Sequence, residues 1–229
     1  MTSSQPHPNP YVGPRAFQTG EKLYGRDREV RELLDLLIAE RIVVLYSPSG
    51  AGKSSLIYAG LIPALEGEGF RVLPVVRVNL EPPRDLPKDE AFNRYMYSVL
   101  MSLEEDLEED QHTPREQLAS MTLNEYLANC PREDGAPENE VLIFDQFEEI
   151  LTFNPTDREG KHAFFNQLGA ALRDRNRWVL FSLREDYVAS LDPYLRPIPT
   201  RFANKFRLDL LGRSATRQAI HRAVPTRAR

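Results

Sequence analysis

The feature that most limits what this chain can become is a Gly/Ser loop set between a short apolar run and an amphipathic stretch. Residues 42–46 are apolar almost without interruption and rich in β-branched side chains, as a strand buried on both faces requires. Ser47, Pro48, Ser49, Gly50, Ala51, Gly52, Lys53 and Ser54 follow, with Ser55 behind them. They match the phosphate-loop pattern G-x-x-x-x-G-K-[ST] except that Ser47 stands where the first glycine would be. Gly50 and Gly52 let backbone amides curl around phosphate oxygens. The helix expected over residues 53–65 presents its free amides and positive dipole end to the same anion. On this reading Lys53 reaches the β and γ phosphates and the Ser54 hydroxyl binds Mg2+. The competing reading is a Gly/Ser turn with a solvated lysine, which leaves the flanking strand and helix as coincidences.

A second apolar run, residues 141–144, ends in Asp145, with Gln146, Phe147, Glu148 and Glu149 beyond it. A carboxylate at such a strand end holds Mg2+ through water, and a glutamate a few residues on orients and deprotonates an attacking water. Spacing alone does not separate Glu149 from Glu148; Glu149 is the first choice and Glu148 the second. Arg184 closes a third apolar run, residues 178–183. If that strand lies beside the loop strand, the guanidinium faces the γ-phosphate and senses or stabilises charge there. Its alternative is a salt bridge with Glu185 or Asp186. Tyr24, Gly25, Arg26 and Asp27 read by themselves as a helix start.

Around these motifs the hydrophobic period keeps switching. Val30, Leu33, Leu34, Leu37 and Ile38 recur at helical spacing to about Glu40, and Phe92, Tyr95, Met96, Val99, Leu100 and Leu103 do so again. Residues 72–80 read as a strand, followed by a proline-bearing loop over 81–88. Thr113 with Glu116, Thr122 with Glu125 and Thr156 with Glu159 each have capping-box spacing, the last opening a helix lined by Phe164, Phe165, Leu168 and Leu172. Residues 206–210 are a candidate fifth strand. Strands alternating with helices imply an α/β fold, a parallel sheet covered on both faces with ligands at the carboxyl ends of its strands.

The chain has 229 residues, 41% of them hydrophobic and 28% charged, enough for one large domain and unlike a disordered or fibrous chain. Residues 1–9 read as a loose tail without hydrophobic period. The net charge of −5 argues against broad nucleic-acid binding, although the segment 201–229 is basic with Asp209 its single acid. The N-terminus lacks a signal-peptide pattern and no apolar run approaches a membrane span, so a cytoplasmic protein is expected. Cys130 is the only cysteine, which rules out an internal disulfide and a cysteine-based metal site.

Four ordered motifs resemble the bacterial novel STAND NTPases, signal-transduction ATPases related to the NACHT and AAA+ groups. They are residues 9–17 (Asn-Pro-Tyr-Val-Gly-Pro-Arg-Ala-Phe), residues 23–29 (Leu-Tyr-Gly-Arg-Asp-Arg-Glu), the loop 47–54 and the stretch 142–149. The resemblance implies a P-loop three-layer αβα sandwich with a parallel five-stranded sheet in the order 5-1-4-3-2. It implies ATP or ADP with Mg2+ as ligands, and assigns Gly25 and Arg26 to adenine-nucleotide binding through a motif of the form hhGRExE, in which Asp27 replaces the first acid. It raises the weight on Arg184. It further implies an ATP-dependent switch that self-associates or works with sensor or effector proteins. The expected organisation is a tail over 1–9, the NTPase domain over 10–212 and the incomplete start of a helical lid over 213–229. Three functions stay open: a slow ATPase, a nucleotide-binding assembly module with little or no turnover, and an ATPase acting on nucleic acid.

Overall fold

The computed structural model describes residues 15–83, 92–132 and 135–212 of the chain. The expected tail over 1–9 and lid start over 213–229 lie outside the described residues. Helix α1 (Asp27–Glu40) turns Leu33, Leu34 and Leu37 inward, and Arg41, at φ 64°, redirects the chain into strand β1 (Ile42–Ser47). After the Gly/Ser loop the chain is helical through α2 (Lys53–Leu56), a π-helical turn (Ile57–Leu61) and α3 (Ile62–Gly67). Strand β2 (Arg71–Val72), α4 (Arg94–Leu103), α5 (Arg115–Ser120) and α6 (Leu123–Asn129) lead to β3 (Glu140–Phe144). The short α7 (Glu149–Thr152), α8 (Arg158–Ala171), β4 (Arg177–Arg184) and β5 (Lys205–Arg207) follow.

The five strands form one sheet in the order β2-β3-β4-β1-β5, the expected 5-1-4-3-2 read from the opposite edge, and every strand pair is parallel. The period of two along each strand divides the core. Val43, Leu45, Val141, Ile143 and Leu180 face α1, α2 and α3, whereas Ile42, Val44, Leu142, Phe144, Val179 and Phe181 face α4, α6 and α8. This is the three-layer αβα sandwich. Register then decides where the chemistry falls. Ser47 pairs with Arg184 and Phe144 with Phe181, so the loop, Asp145 and Arg184 share the carboxyl edge.

Phe147 fixes the turn beyond β3. It is fully buried and its ring contacts Phe144, Phe164, Phe165 and Phe181. Removing such a ring costs about 3–5 kcal/mol, so the backbone that carries Asp145 and Glu148 is pinned by packing rather than left as a free loop.

Three local expectations are corrected. The strand expected over 72–80 is regular only at Arg71–Val72; Pro74 has no amide to donate, and the chain rejoins β3 through a single bridge of Val76 to Phe144. Thr113 does not cap α5, whose N-cap is Pro114; the Thr113 amide instead donates to Glu104 Oε1 at 3.0 Å. At α8 the cap is Asp157, accepting from the Gly160 amide, one residue after the expected Thr156. The Thr122–Glu125 capping box forms in full at α6.

Candidate functional site

The phosphate-loop glycines are needed for conformation. Gly50 and Gly52 sit at φ +78° and +88°, where an L side chain is strained, with open space around both. Among the described residues the non-glycines at positive φ are Arg41, Gln146, Asn154, Arg201 and Phe202, so Ser47 replaces the motif glycine in an ordinary conformation. Its hydroxyl is fully buried, donates to the Pro48 carbonyl at 2.8 Å and accepts from Lys53 Nζ at 3.0 Å. The lysine therefore arches back across its own loop. Burial pushes the Lys53 amine below its ordinary range, and the carboxylates of Glu148 and then Asp145 partly restore it.

Asp145, 1% exposed, is held on both oxygens. Oδ1 accepts from Ser182 Oγ and the Gln146 amide, each at 3.0 Å; Oδ2 accepts from Ser54 Oγ at 2.7 Å and faces an Arg77 guanidinium nitrogen at 3.6 Å. Gln146, at φ 56°, turns the chain sharply, and the Phe147 amide donates to the Ser182 carbonyl at 2.8 Å. The two glutamates then part. Glu148 Oε2 accepts from the Arg184 amide at 3.3 Å. Burial holds the Glu149 carboxyl above the usual carboxylate range, with the Arg77 charge opposing.

The Arg184 backbone lies where the strand register requires, but its guanidinium pairs with Asp186 at 2.6 Å and lies over the Tyr187 ring at 5.5 Å. Arg26 is almost fully buried. It donates to the Ala51 carbonyl at 3.0 Å, the Asp209 carbonyl at 2.8 Å and Glu29 Oε1 at 2.8 Å, tying α1 to the phosphate loop and to the segment after β5. Gly25, at φ 80°, makes the turn before it. The Ser55 hydroxyl accepts the Phe17 amide at 3.1 Å, which ties the segment before α1 onto α2.

Two members of this arrangement were not singled out in the sequence. Arg77 gave one local signal, a charge interrupting the run Val75, Val76 and Val78, and Ser182 is a polar residue inside a buried strand. The Ser54 hydroxyl and Asp145 Oδ2 are hard oxygen donors side by side, a set suited to Mg2+. Among the described residues no group of three or more His, Cys, Asp or Glu gathers as an all-protein metal cage. Mg2+ needs no such cage when phosphates supply its remaining ligands.

The sequence model of the Novel STAND NTPase 1 family matches residues 10–228. No curated protein matches the chain. Among solved structures, the Walker-type ATPase PABY2304 of Pyrococcus abyssi superposes with a TM-score of 0.62 at 15% identity, over 92% of this chain and 60% of that one. At that identity the likeness is one of fold, and this chain spans 60% of the length of that protein, less than two thirds. No helix among the described residues is long and apolar enough to cross a membrane.

Proposed function

The chain belongs to the Novel STAND NTPase 1 family, a P-loop NTPase fold, and from that premise we propose that residues 10–212 are the ATP-binding, slowly hydrolysing core of a cytoplasmic signal-transduction switch. The observation that carries this is the 2.7 Å pairing of Ser54 with Asp145 beneath a loop whose lysine already arches inward. Amides of the loop 47–54 cradle the phosphates, Ser55 extends the cradle into α2, and Lys53 neutralises β and γ oxygens. Ser54 and Asp145 would hold Mg2+, which when bound supplies charge neutralisation on the phosphate oxygens. Arg26 supports nucleotide binding through the Ala51 carbonyl, and Gly25 sets the turn that delivers it.

Glu149 is the proposed base. Its raised proton affinity suits a group that must take a proton from water near neutral pH, whereas Glu148 is engaged by the Arg184 amide. Arg184 is the proposed γ-phosphate sensor, which requires its guanidinium to leave Asp186; that pairing is exposed and therefore weak. The same pairing favours a second reading, an assembly module that binds ATP or ADP with little turnover and answers to a sensor, an effector or another copy of itself. An ATPase acting on nucleic acid has only the basic segment 201–229 in its favour, against a net charge of −5 for the whole chain.

Phosphate release and Mg2+-ATP affinity followed in the same samples separate the first two readings. Glu149→Gln is expected to keep nucleotide affinity within about twofold and to lower phosphate release by about a hundredfold or more. Binding by the wild type without any release establishes the assembly module instead.

A further inference from the structure

Arg77 is a charge in an apolar setting, and its backbone is clamped. Its neighbours Val76 and Val78 are buried. Its amide donates to Ser102 Oγ at 3.1 Å, and its carbonyl accepts from Ser98 Oγ at 2.7 Å and Ser102 Oγ at 3.3 Å. Both serines lie one turn apart on α4 and are fully or almost fully buried. The Asp145 amide donates to the Val76 carbonyl at 3.2 Å, so residue 77 is locked beside the end of β3.

The side chain is held far less tightly than the backbone. It is 35% exposed, and its other polar neighbours are the Tyr58 hydroxyl and the Glu149 carboxylate. Its nitrogen stands 3.6 Å from Asp145 Oδ2, a charge contact longer than a hydrogen bond. This is the oxygen that Ser54 also occupies. Arg77 also lines a cleft of about 810 Å3 whose wall includes Glu104, Glu105 and Glu109, three carboxylates against His112 and one further arginine, Arg115. The long side chain therefore has a partner at Asp145 and an acidic cleft to move into.

We propose that Arg77 is the resident counter-cation of Asp145, which a divalent metal must displace toward the acidic cleft when it binds Ser54 and Asp145. The inference rests on the reading of Ser54 and Asp145 as the metal side of the site. Asp145 is buried, and in the described structure Arg77 is the one cation within 4 Å of it. A positive charge at that distance opposes a second cation on the same oxygen. The consequence is that free Mg2+ binds poorly and the metal enters together with nucleotide phosphate.

The test measures ADP affinity against Mg2+ concentration, and in EDTA, for wild type, Arg77→Met, Arg77→Lys and Asp145→Asn. Arg77→Met is expected to lower the Mg2+ concentration giving half of the metal-dependent gain by about threefold to tenfold, with affinity in EDTA unchanged. Arg77→Lys, which keeps the charge, is expected to stay within about twofold of wild type. Unchanged affinity in EDTA also certifies that the variants fold. A weaker or unchanged Mg2+ response in Arg77→Met overturns the counter-cation role while the metal reading stands, provided Asp145→Asn loses the Mg2+ response. If Asp145→Asn keeps the wild-type response, both the metal assignment and the counter-cation role fail.

Discussion

Strand β3 carries a buried carboxylate at each end, and the two are built in opposite ways. Glu140, 2% exposed, begins the strand among three arginines, with Arg132 at 2.7 Å, Arg71 at 2.9 Å and Arg177 at 3.7 Å. Asp145, just past the other end, is held mainly by two hydroxyls and an amide, and its nearest cation stands off at 3.6 Å. The first carboxylate is saturated with positive charge and fastens β2, β3 and β4 together at the amino edge of the sheet. The second is fixed in direction but left short of charge, the condition in which a buried carboxylate takes up a metal ion. One short strand thus separates a carboxylate saturated with cations from the carboxylate proposed to hold a metal.

Substitutions at the two ends are expected to divide the same way. Glu140→Gln leaves arginines around a neutral amide and should lower the unfolding free energy by about 2–3 kcal/mol, below the cost of breaking a fully buried pair because Arg132 is 41% exposed. Nucleotide affinity of the folded protein should not change. Asp145→Asn keeps an acceptor for Ser182 and the Gln146 amide, so it should cost less than about 1 kcal/mol while abolishing the metal-dependent part of nucleotide affinity. Denaturant unfolding beside calorimetric titration of both variants checks the crossing pattern, and a Glu140 variant that binds less nucleotide once folded breaks it.

A smaller effect concerns protonation at the carboxyl edge. Burial lowers the Lys53 amine below its ordinary range, and only the protonated amine attracts phosphate. Nucleotide affinity is therefore full on the acid side of that lowered value and declines as pH rises through it, by at most about tenfold per pH unit. The decline should begin below the ordinary lysine range of about 10.4. Affinity measured between neutral pH and that range tests this, and a flat profile contradicts the lowered proton affinity of the Lys53 amine.

What could be read from the sequence was whatever a contiguous stretch determines. The unit of β1, the Gly/Ser loop and the following helix is local in sequence, so its glycines, lysine and apolar period spell it out. The sheet order was readable only through the family likeness, because nothing within a strand names its neighbour. The misreadings have the same origin. Residues 72–80 are apolar enough for a strand, but pairing with β3 is interrupted at Pro74 and resumes only at Val76. Thr156 and Asp157 both suit a helix cap, and the geometry of the preceding turn gives the role to Asp157. Arg77 and Ser182 acquire meaning only when the sheet brings them to Asp145, at separations of 68 and 37 residues along the chain. Arg184 shows the reverse case, a backbone position readable from the strand end and a guanidinium direction decided by Asp186 two residues away.

The most direct test of the phosphate loop is a Mg2+-ATP titration of wild type beside Lys53→Ala, with thermal melts of both. Wild type should bind, and the variant should lose about a hundredfold or more in affinity while its melting temperature shifts by no more than a few degrees. Equal affinity in the two proteins, or no binding by a folded wild type, would contradict the assignment of residues 47–54 as a nucleotide phosphate cradle.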